Sequence, residues 1–181
     1  MKKPSVSIRE ARTEDAPILV AAEKETAARP GLLVSRSHEL KLEAFEQKIV
    51  ELGKIGRYIV AERDGEIVGH ALLDPLTLEA ISHVFRLTIV VHPNFTRQGV
   101  GTALMINLMD WAKREARVEK IELLVRATNA PAIRLYSKLG FVEEGRMKNR
   151  VRLPDGHFVD DVAMAWFPKH RHSDNSTNAP R

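Results

Sequence analysis

Apolar and polar positions repeat with two different periods along the chain, and each period predicts one kind of element. Short runs that alternate or stay apolar, bounded by Gly, Pro, Asp or Asn, predict seven strands. The strands are expected near residues 5–10, 58–62, 67–73, 83–91, 121–125, 141–153 and 157–166. Apolar residues at helical spacing predict four helices: one from Thr13, one from about His38 to Leu52, one from Gly99 to about Arg117 and one from Asn129 to Gly140.

The order of these elements predicts a mixed sheet with helices on both faces, of α/β or α+β type. Asp64-Gly65 predicts a tight hairpin between the second and third strands, and Gly53 and Gly56 are expected to close the second helix. No internal repeat and no long linker interrupts the pattern. We therefore expect a single domain over residues 5–167, followed by a polar, disordered tail over residues 168–181.

One junction between a strand and a helix has the features of an anion site. The apolar strand ends at Val91, and the turn from Thr96 to Thr102 contains Gly99 and Gly101 before a long helix begins. Unpaired amide hydrogens converge where such a helix starts, and the helix dipole adds partial positive charge. Because glycine has no Cβ, the backbone can approach phosphate oxygens closely. The pattern predicts a phosphorylated ligand, and a ligand-free turn is the plainer alternative.

Composition narrows the class of protein without identifying it. Of the 181 residues, 44% are hydrophobic and 29% charged, as is usual for a globular domain. No run approaches the ~18 apolar residues of a membrane span, and the first four residues do not lead into a signal-peptide core. Cysteine is absent, which removes disulfides, zinc thiolate sites and a cysteine acyl-enzyme. We expect a cytoplasmic protein with no metal site and no membrane partner.

The net charge of +4 and the isoelectric point near 9.5 would suit a nucleic acid or another polyanion. The basic residues alternate with acidic ones, however, as in the segment 113–120, and such mixing is typical of a solvated helix face. A small anionic ligand accounts for the modest basicity equally well. We therefore do not expect a nucleic-acid partner.

Three segments of the chain resemble the GNAT superfamily of acyl-CoA-dependent N-acyltransferases, and the resemblance extends over roughly Val6 to Phe167. The segments are 89–93 with 97–104, 129–132 with 135–141, and the hairpin 156–161 before Met164. The third pattern is common in bacterial members that act on small amines or amino acids. A lone Gly-x-Gly would be weak support, but the first two motifs in this order, each on the expected element, are specific.

The resemblance implies a central, mostly antiparallel sheet of about seven strands and acetyl-CoA as cosubstrate. In the family, the strand before the glycine turn splays from its neighbour and offers backbone groups to the pantetheine arm, which implies contacts from Ile89, Val90 and Val91. The resemblance also implies that six residues surround the pyrophosphate: Arg97, Gln98, Gly99, Val100, Gly101 and Thr102. Further cofactor contacts are implied for Asn129, Ala132 and Lys138.

One position departs from the family pattern. The residue three before the first glycine is usually Arg or Gln in the family, and here it is Thr96. We expect the neighbouring Arg97 to supply the charge instead.

Proton transfer has one strong candidate and several weaker ones. The family uses a tyrosine at the position of Tyr136 as general acid to the leaving thiolate, whereas a packed core aromatic is the plainer interpretation. The attacking amine must also lose a proton. His83, on a predicted strand, is the first candidate for the base, and His70, Glu79 or a chain of waters are alternatives.

The acceptor is expected to bind beside the same strand. Arg86 and Thr88 lie two residues apart on one of its faces, and Arg86 is expected either to pair with a substrate carboxylate or to form a surface salt bridge. With the resemblance, this predicts acetyl transfer from acetyl-CoA to the primary amine of an amino acid or other small molecule, by direct attack in a ternary complex. The alternative is a non-catalytic acyl-CoA sensor, which would not need Tyr136 as a proton donor. A homodimer is left open.

Overall fold

A computed structural model describes residues 6–169 of the chain, and its seven strands form one sheet. The strands are β1 (Ser7–Glu10), β2 (Arg57–Arg63), β3 (Glu66–Pro75), β4 (Val84–Val91), β5 (Lys120–Arg126), β6 (Val142–Arg152) and β7 (Phe158–Trp166). Their order across the sheet is β1-β2-β3-β4-β5-β7-β6. Every neighbouring pair is antiparallel except β4 and β5, which are parallel. The predicted mixed, mostly antiparallel sheet is therefore confirmed.

Helices cover both faces of this sheet, as the sequence predicts. The four α-helices are α1 (Ala16–Ala27), α2 (Leu42–Ile55), α3 (Val100–Ala112) and α4 (Ala130–Lys138). Alternate residues of β2 point to opposite faces: Tyr58 and Val60 pack in one core with residues of α1 and α2, and Ile59 and Ala61 pack in the other with residues of α3 and α4. Strand alternation thus gives each face its own apolar core.

The predicted bounds of the first and third helices are wrong. Residues Thr13–Asp15 form a 3-10 turn, and α1 begins only at Ala16. The third helix ends at Ala112 rather than near Arg117. It ends early because the chain turns back to bury Val118 in the core, which a continuing helix would carry away from the sheet.

The predicted bounds of the second helix are also wrong. It begins at Leu42, after a 3-10 turn that contains His38, and it continues through Gly53 to Ile55. Gly56 follows its last residue, and this position requires glycine because an added Cβ there would lie 2.3 Å from the carbonyl oxygen of Leu73. The strand of the sheet approaches this turn so closely that no side chain fits.

Two remaining expectations concern the hairpin and the end of the chain. β2 and β3 are joined at Asp64-Gly65, where Arg63 pairs with Glu66, so the predicted hairpin is confirmed. The predicted tail lies outside the described residues apart from Pro168 and Lys169. Within residues 6–169, no helix is both long enough and apolar enough to cross a bilayer.

Candidate active site

The two edges of β4 are paired differently, and the difference opens a cleft in the sheet. The edge toward β3 is paired from Phe85 with Pro75 to Val91 with Gly69. The edge toward β5 is paired only from Val84 to Arg86, after which the two strands diverge. Among the described residues, the rest of that edge therefore has no strand partner. Its backbone N–H and C=O groups are left for another partner.

The glycine turn supplies donors at the end of this cleft. Gly99 has a φ of 85°, a left-handed conformation that glycine adopts without strain. The first helical hydrogen bond of α3 runs from the Ala103 N–H to the Gly99 carbonyl at 3.0 Å. It leaves the amides of Val100, Gly101 and Thr102 outside the helical ladder. Three donors and the positive end of the helix dipole meet at one point, which is an arrangement that binds anions.

A cavity of about 410 Å³ lies between the splayed strand and the glycine turn, and we call it the turn cavity. Its lining is mostly apolar and comes from β4, the turn, α4 and the loop after α1. Nine of the sequence-predicted cofactor contacts line it: Ile89, Val90, Val91, Arg97, Gly99, Gly101, Thr102, Asn129 and Ala132. The structure thus brings together residues that lie up to 43 positions apart, from residue 89 to residue 132.

Three other sequence-predicted contacts do not line the turn cavity with their side chains. The Gln98 side chain donates to the Asn94 carbonyl at 2.8 Å and accepts from Arg63, so it braces the turn from outside. The Val100 side chain is buried in the core, and only its amide remains available. Lys138 is exposed at the last turn of α4, away from the cavity lining.

A second cavity, of about 610 Å³, lies between β4 and β5 and is closed by the loop after α1 and by the β6–β7 hairpin. We call it the strand cavity. Arg86 and Thr88, the sequence-predicted acceptor contacts, both line it. Its other charged side chains come from α1, β5 and β6: Glu23, Glu122, Arg126, Glu144 and Arg150. This lining carries both signs of charge, unlike that of the turn cavity.

Tyr136 lies where the two cavities meet. It lines both of them, together with Ile89, Asn129 and two leucines of the loop after α1. Asn129 fixes the start of α4 by accepting a hydrogen bond from the Ala132 N–H at 3.3 Å, and Tyr136 is almost two turns further on. Its ring packs against Phe141, with centroids 5.8 Å apart. Burial raises the pKa of the Tyr136 hydroxyl to about 12, so the group keeps its proton throughout the neutral range.

Two arginines of the strand cavity have acidic partners but very different surroundings. Arg86 donates to Glu122 at 3.0 Å, and its side chain is 57% exposed. Arg126 forms a buried ion pair with Asp161, its cross-strand partner on β7. Burial lowers the pKa of Arg126 and raises that of Asp161, and the attraction between the two groups opposes both shifts. Arg86 is therefore the arginine that can exchange its partner for a ligand at little cost.

The structure does not bring the first candidate base to the site. His83 precedes β4 at the end away from the glycine turn, and its carbonyl accepts from the amides of Glu119 and Lys120. Five strand residues, about 17 Å, separate it from Thr88, and it lines neither cavity. Glu79 lies in a 3-10 turn beyond His83 and is exposed. The third candidate, His70, is fully buried beneath the site.

Sequence reasoning missed Glu23, which lines the strand cavity. A signal for it was present, because Glu23 falls on the buried stripe of α1 formed by Ala16, Leu19, Val20 and Thr26. A carboxylate on an otherwise buried helix face needs a polar partner, and that partner lies on a distant strand. Within residues 6–169, no group of three or more histidine, cysteine or carboxylate side chains is placed to hold a metal ion.

Comparison with known proteins agrees with this geometry. Residues 19–141 match the family model described as the acetyltransferase (GNAT) family. The L-amino acid N-acetyltransferase AaaT of Escherichia coli (strain K12) is 38% identical over 109 residues, which are 60% of this chain and 67% of that protein. An N-alpha-acetyltransferase of Sulfurisphaera tokodaii is 41% identical over 96 residues, which are 48% of this chain and 56% of that protein. The resemblance inferred from the motifs is confirmed.

Solved structures extend the likeness over more of the chain. A ribosomal-protein-alanine N-acetyltransferase from Brucella melitensis has 28% sequence identity and a TM-score of 0.81, covering 89% of this chain and 99% of its own. A putative acetyltransferase from Salmonella typhimurium, solved with its cofactor acetyl-CoA, has 19% identity and a TM-score of 0.84 and covers 98% of both chains. The fold is therefore shared with these proteins.

Proposed function

The chain belongs to the acetyltransferase (GNAT) family, and from this premise we propose that it transfers the acetyl group of acetyl-CoA to the primary amine of an amino acid or a close analogue. The transfer is a direct attack within a ternary complex. The observation that carries this proposal is the meeting of the turn cavity and the strand cavity at Tyr136 and Ile89. Two ligands, one in each cavity, would have their ends in contact at that point.

The turn cavity fits an acyl-CoA. The amides of Val100, Gly101 and Thr102 would bind phosphate oxygens, and the Arg97 side chain would add a charge-assisted contact. The unpaired edge of β4 would offer alternating backbone donors and acceptors to the amide-containing arm. When bound, acetyl-CoA supplies an acetyl group activated as a thioester.

Tyr136 would act on the departing sulfur. With a pKa of about 12, its hydroxyl is a weaker acid than a thiol of pKa ~8.5, so complete transfer of its proton is uphill. A hydrogen bond donated to the developing negative charge needs no complete transfer and strengthens as charge builds up. The same pKa means that the donor is present at every working pH.

The strand cavity suits an acceptor that carries both signs of charge. Arg86 on β4 and Arg150 on the last hairpin would attract a carboxylate, and Glu23 on the opposite side would attract an ammonium group. An α-amino acid carries both groups. The Escherichia coli relative named an L-amino acid N-acetyltransferase supports this class.

A protein N-terminus is the second candidate, because the solved structure from Brucella melitensis is named a ribosomal-protein-alanine N-acetyltransferase. The loop after α1 and the β6–β7 hairpin both line the strand cavity, however. They narrow the approach of a polypeptide more than that of a free amino acid. We therefore favour the small acceptor.

Release of free CoA thiol tests the proposal across a panel of amines. The panel contains the α-amino acids, polyamines and a short peptide with a free N-terminal alanine. We expect thiol release with at least one α-amino acid and little or none with polyamines, which lack a carboxylate. Binding of acetyl-CoA without thiol release from any amine would instead identify a non-catalytic acyl-CoA sensor, and release only with the peptide would identify a protein acceptor.

A further inference from the structure

Three buried polar side chains form a chain of hydrogen bonds beneath the strand cavity. Glu23 Oε1 on α1 lies 2.9 Å from His70 Nε2 on β3, and His70 Nδ1 lies 3.1 Å from His92 Nε2 just after β4. His70 is completely buried, and Glu23 and His92 are nearly so. His70 lies beside the apolar core under α1 and α2, where the ring of Tyr58 packs with its centroid 6.0 Å from that of His70. Three ionisable groups in such a layer are costly unless each one is paired.

Glu23 is the member of this chain that reaches the site. Its side chain is 12% exposed, and it lines the strand cavity on which Thr88, Ile89 and Tyr136 also open. The bond to His70 uses Oε1 and leaves Oε2 as the oxygen outside that bond. A general base must lie within hydrogen-bond reach of the proton that it takes, and a carboxylate oxygen fixed in the wall of the acceptor cavity meets this requirement.

We infer that Glu23 is the general base that takes a proton from the acceptor ammonium, and that His70 and His92 are positioning residues for it. The inference rests on the proposed acetyl transfer. The acceptor nitrogen loses two protons on the way to the amide. One N–H bond breaks as an O–H bond forms on Glu23, which later returns this proton to water. The freed lone pair forms the C–N bond as the C–S bond breaks, and the second proton ends on the thiol.

The two histidines orient the carboxylate through the direction of their hydrogen bonds. Burial, with a further contribution from His70, lowers the pKa of His92 to about 4, against a hydrogen bond to the backbone of Ile67. A backbone carbonyl only accepts, so neutral His92 donates to Ile67 and accepts from His70 through Nε2. His70 bridges His92 and Glu23 through its two ring nitrogens. Because His70 is completely buried, water cannot replace this bridge, and the Glu23 carboxyl group is held in one orientation.

Other titratable and charged groups face Glu23 from several elements. Tyr58 on β2 lies on the buried side, where burial, and after it the charges of Glu23 and Asp15, raise the pKa of its hydroxyl. The groups that face it across the strand cavity are Arg86, Glu122, Arg126, Glu144 and Arg150. Among these groups only Glu122 and Glu144 could themselves accept a proton, and each is paired with a basic side chain.

The decisive comparison is the pH profile of kcat/KM for wild type and Glu23→Gln with the same amino acid. At neutral pH the variant should be slower by ~10²–10⁴. The deficit should shrink as the pH rises toward the pKa of the amine, because a growing share of the amine is then already uncharged in solution and needs no base. Acetyl-CoA affinity should be unchanged. Glu25→Gln, an exposed glutamate two residues along α1 that pairs with Arg29, is the matched control and should follow wild type.

Glu23→Asp keeps the charge beside His70 and provides a second variant if the glutamine disturbs folding. Glu23→Asp should have a higher rate than Glu23→Gln, although lower than wild type. His70→Asn should lower kcat with little change in the KM for acetyl-CoA. If wild type is active and Glu23→Gln keeps the full rate, or if the rate deficit of Glu23→Gln stays constant with pH, then Glu23 is not the general base. Either result would leave the proposed acetyl transfer intact. A wild type that releases no CoA thiol with any amine would overturn the proposed function itself.

Discussion

The turn cavity and the strand cavity are neighbours that share Tyr136, but they are built from different kinds of groups. The turn cavity presents backbone amides, an unpaired strand edge and apolar side chains. The strand cavity presents six charged side chains from four elements, among them Glu23, Arg86 and Arg150. Backbone groups are present whatever the sequence, so they suit a donor that all substrate pairs have in common. Side chains can differ between relatives, so they suit an acceptor that differs between them. We infer that the first cavity fixes the donor and the second selects the acceptor.

The largest effect should come from filling the turn cavity. An added Cβ on Gly101 already lies 3.4 Å from Leu135 and 3.5 Å from Val91, so the rest of a leucine side chain would occupy the space of the ligand. Saturating acetyl-CoA at ~100 Kd should raise the Tm of wild type by roughly 5–10 °C. We expect Gly101→Leu to abolish this shift.

Gly53 provides the matched control, because it lies in α2 with no atom within 4 Å of an added Cβ. Gly53→Leu should keep the whole shift. Undiminished stabilisation of Gly101→Leu by acetyl-CoA would remove the glycine turn from the donor site.

Substitution of Tyr136, which lines both cavities, should slow the chemical step without weakening the binding of either substrate. Tyr136→Phe keeps the ring against Phe141 and removes only the hydroxyl. We expect kcat to fall by ~10²–10⁴, with acetyl-CoA affinity and Tm nearly unchanged. The raised pKa of about 12 adds a second expectation: the protonated hydroxyl is lost only as the pH approaches 12, so wild-type kcat should show no falling limb near pH 10. A Phe variant with normal kcat, where chemistry limits the rate, would make Tyr136 a core aromatic.

A smaller effect, on acetyl-CoA affinity, should distinguish substitution of Arg97 from substitution of Thr96. Both residues line it, but only Arg97 brings a charge to the phosphates. A charge-assisted hydrogen bond is worth about 1.5–3 kcal/mol, so Arg97→Ala should weaken acetyl-CoA binding by roughly 10- to 100-fold and Thr96→Ala by much less. Isothermal calorimetry of the two variants would measure this difference. The reverse ranking would mean that Arg97 has not replaced the basic residue missing at position 96.

The smallest effect is expected on the KM for the acceptor, which we propose binds in the strand cavity. Arg86→Ala should raise the KM for an α-amino acid by about tenfold, as expected for one lost carboxylate contact, and should leave acetyl-CoA affinity unchanged. Arg117→Ala is the control, because Arg117 is equally exposed and also paired with a glutamate. If the KM rises equally for an amine that has no carboxylate, Arg86 does not bind the carboxylate of the amino acid.

The same contrast explains what could be predicted from the sequence. The turn cavity follows from local rules: a glycine at a left-handed position, an N-terminus of a helix and a strand before it are contiguous from Ile89 to Thr102. The strand cavity depends on pairing between distant segments. His83 was a candidate base because it lies on the predicted strand, but in the structure it precedes β4 at the end away from the glycine turn. The sequence shows Glu23 only as a carboxylate on an apolar helix stripe, and its partner His70, 47 residues away, becomes evident only from the packing of α1 over β3.

Initial velocities with both substrates varied test most directly whether the two cavities act together. Acetyl-CoA is varied at several fixed concentrations of the best α-amino acid, and free CoA thiol is followed. Direct attack in a ternary complex requires that both ligands be bound at once, so we expect double-reciprocal lines that intersect. Parallel lines, with thiol released from acetyl-CoA before any acceptor is added, would contradict the meeting of the two substrates at Tyr136.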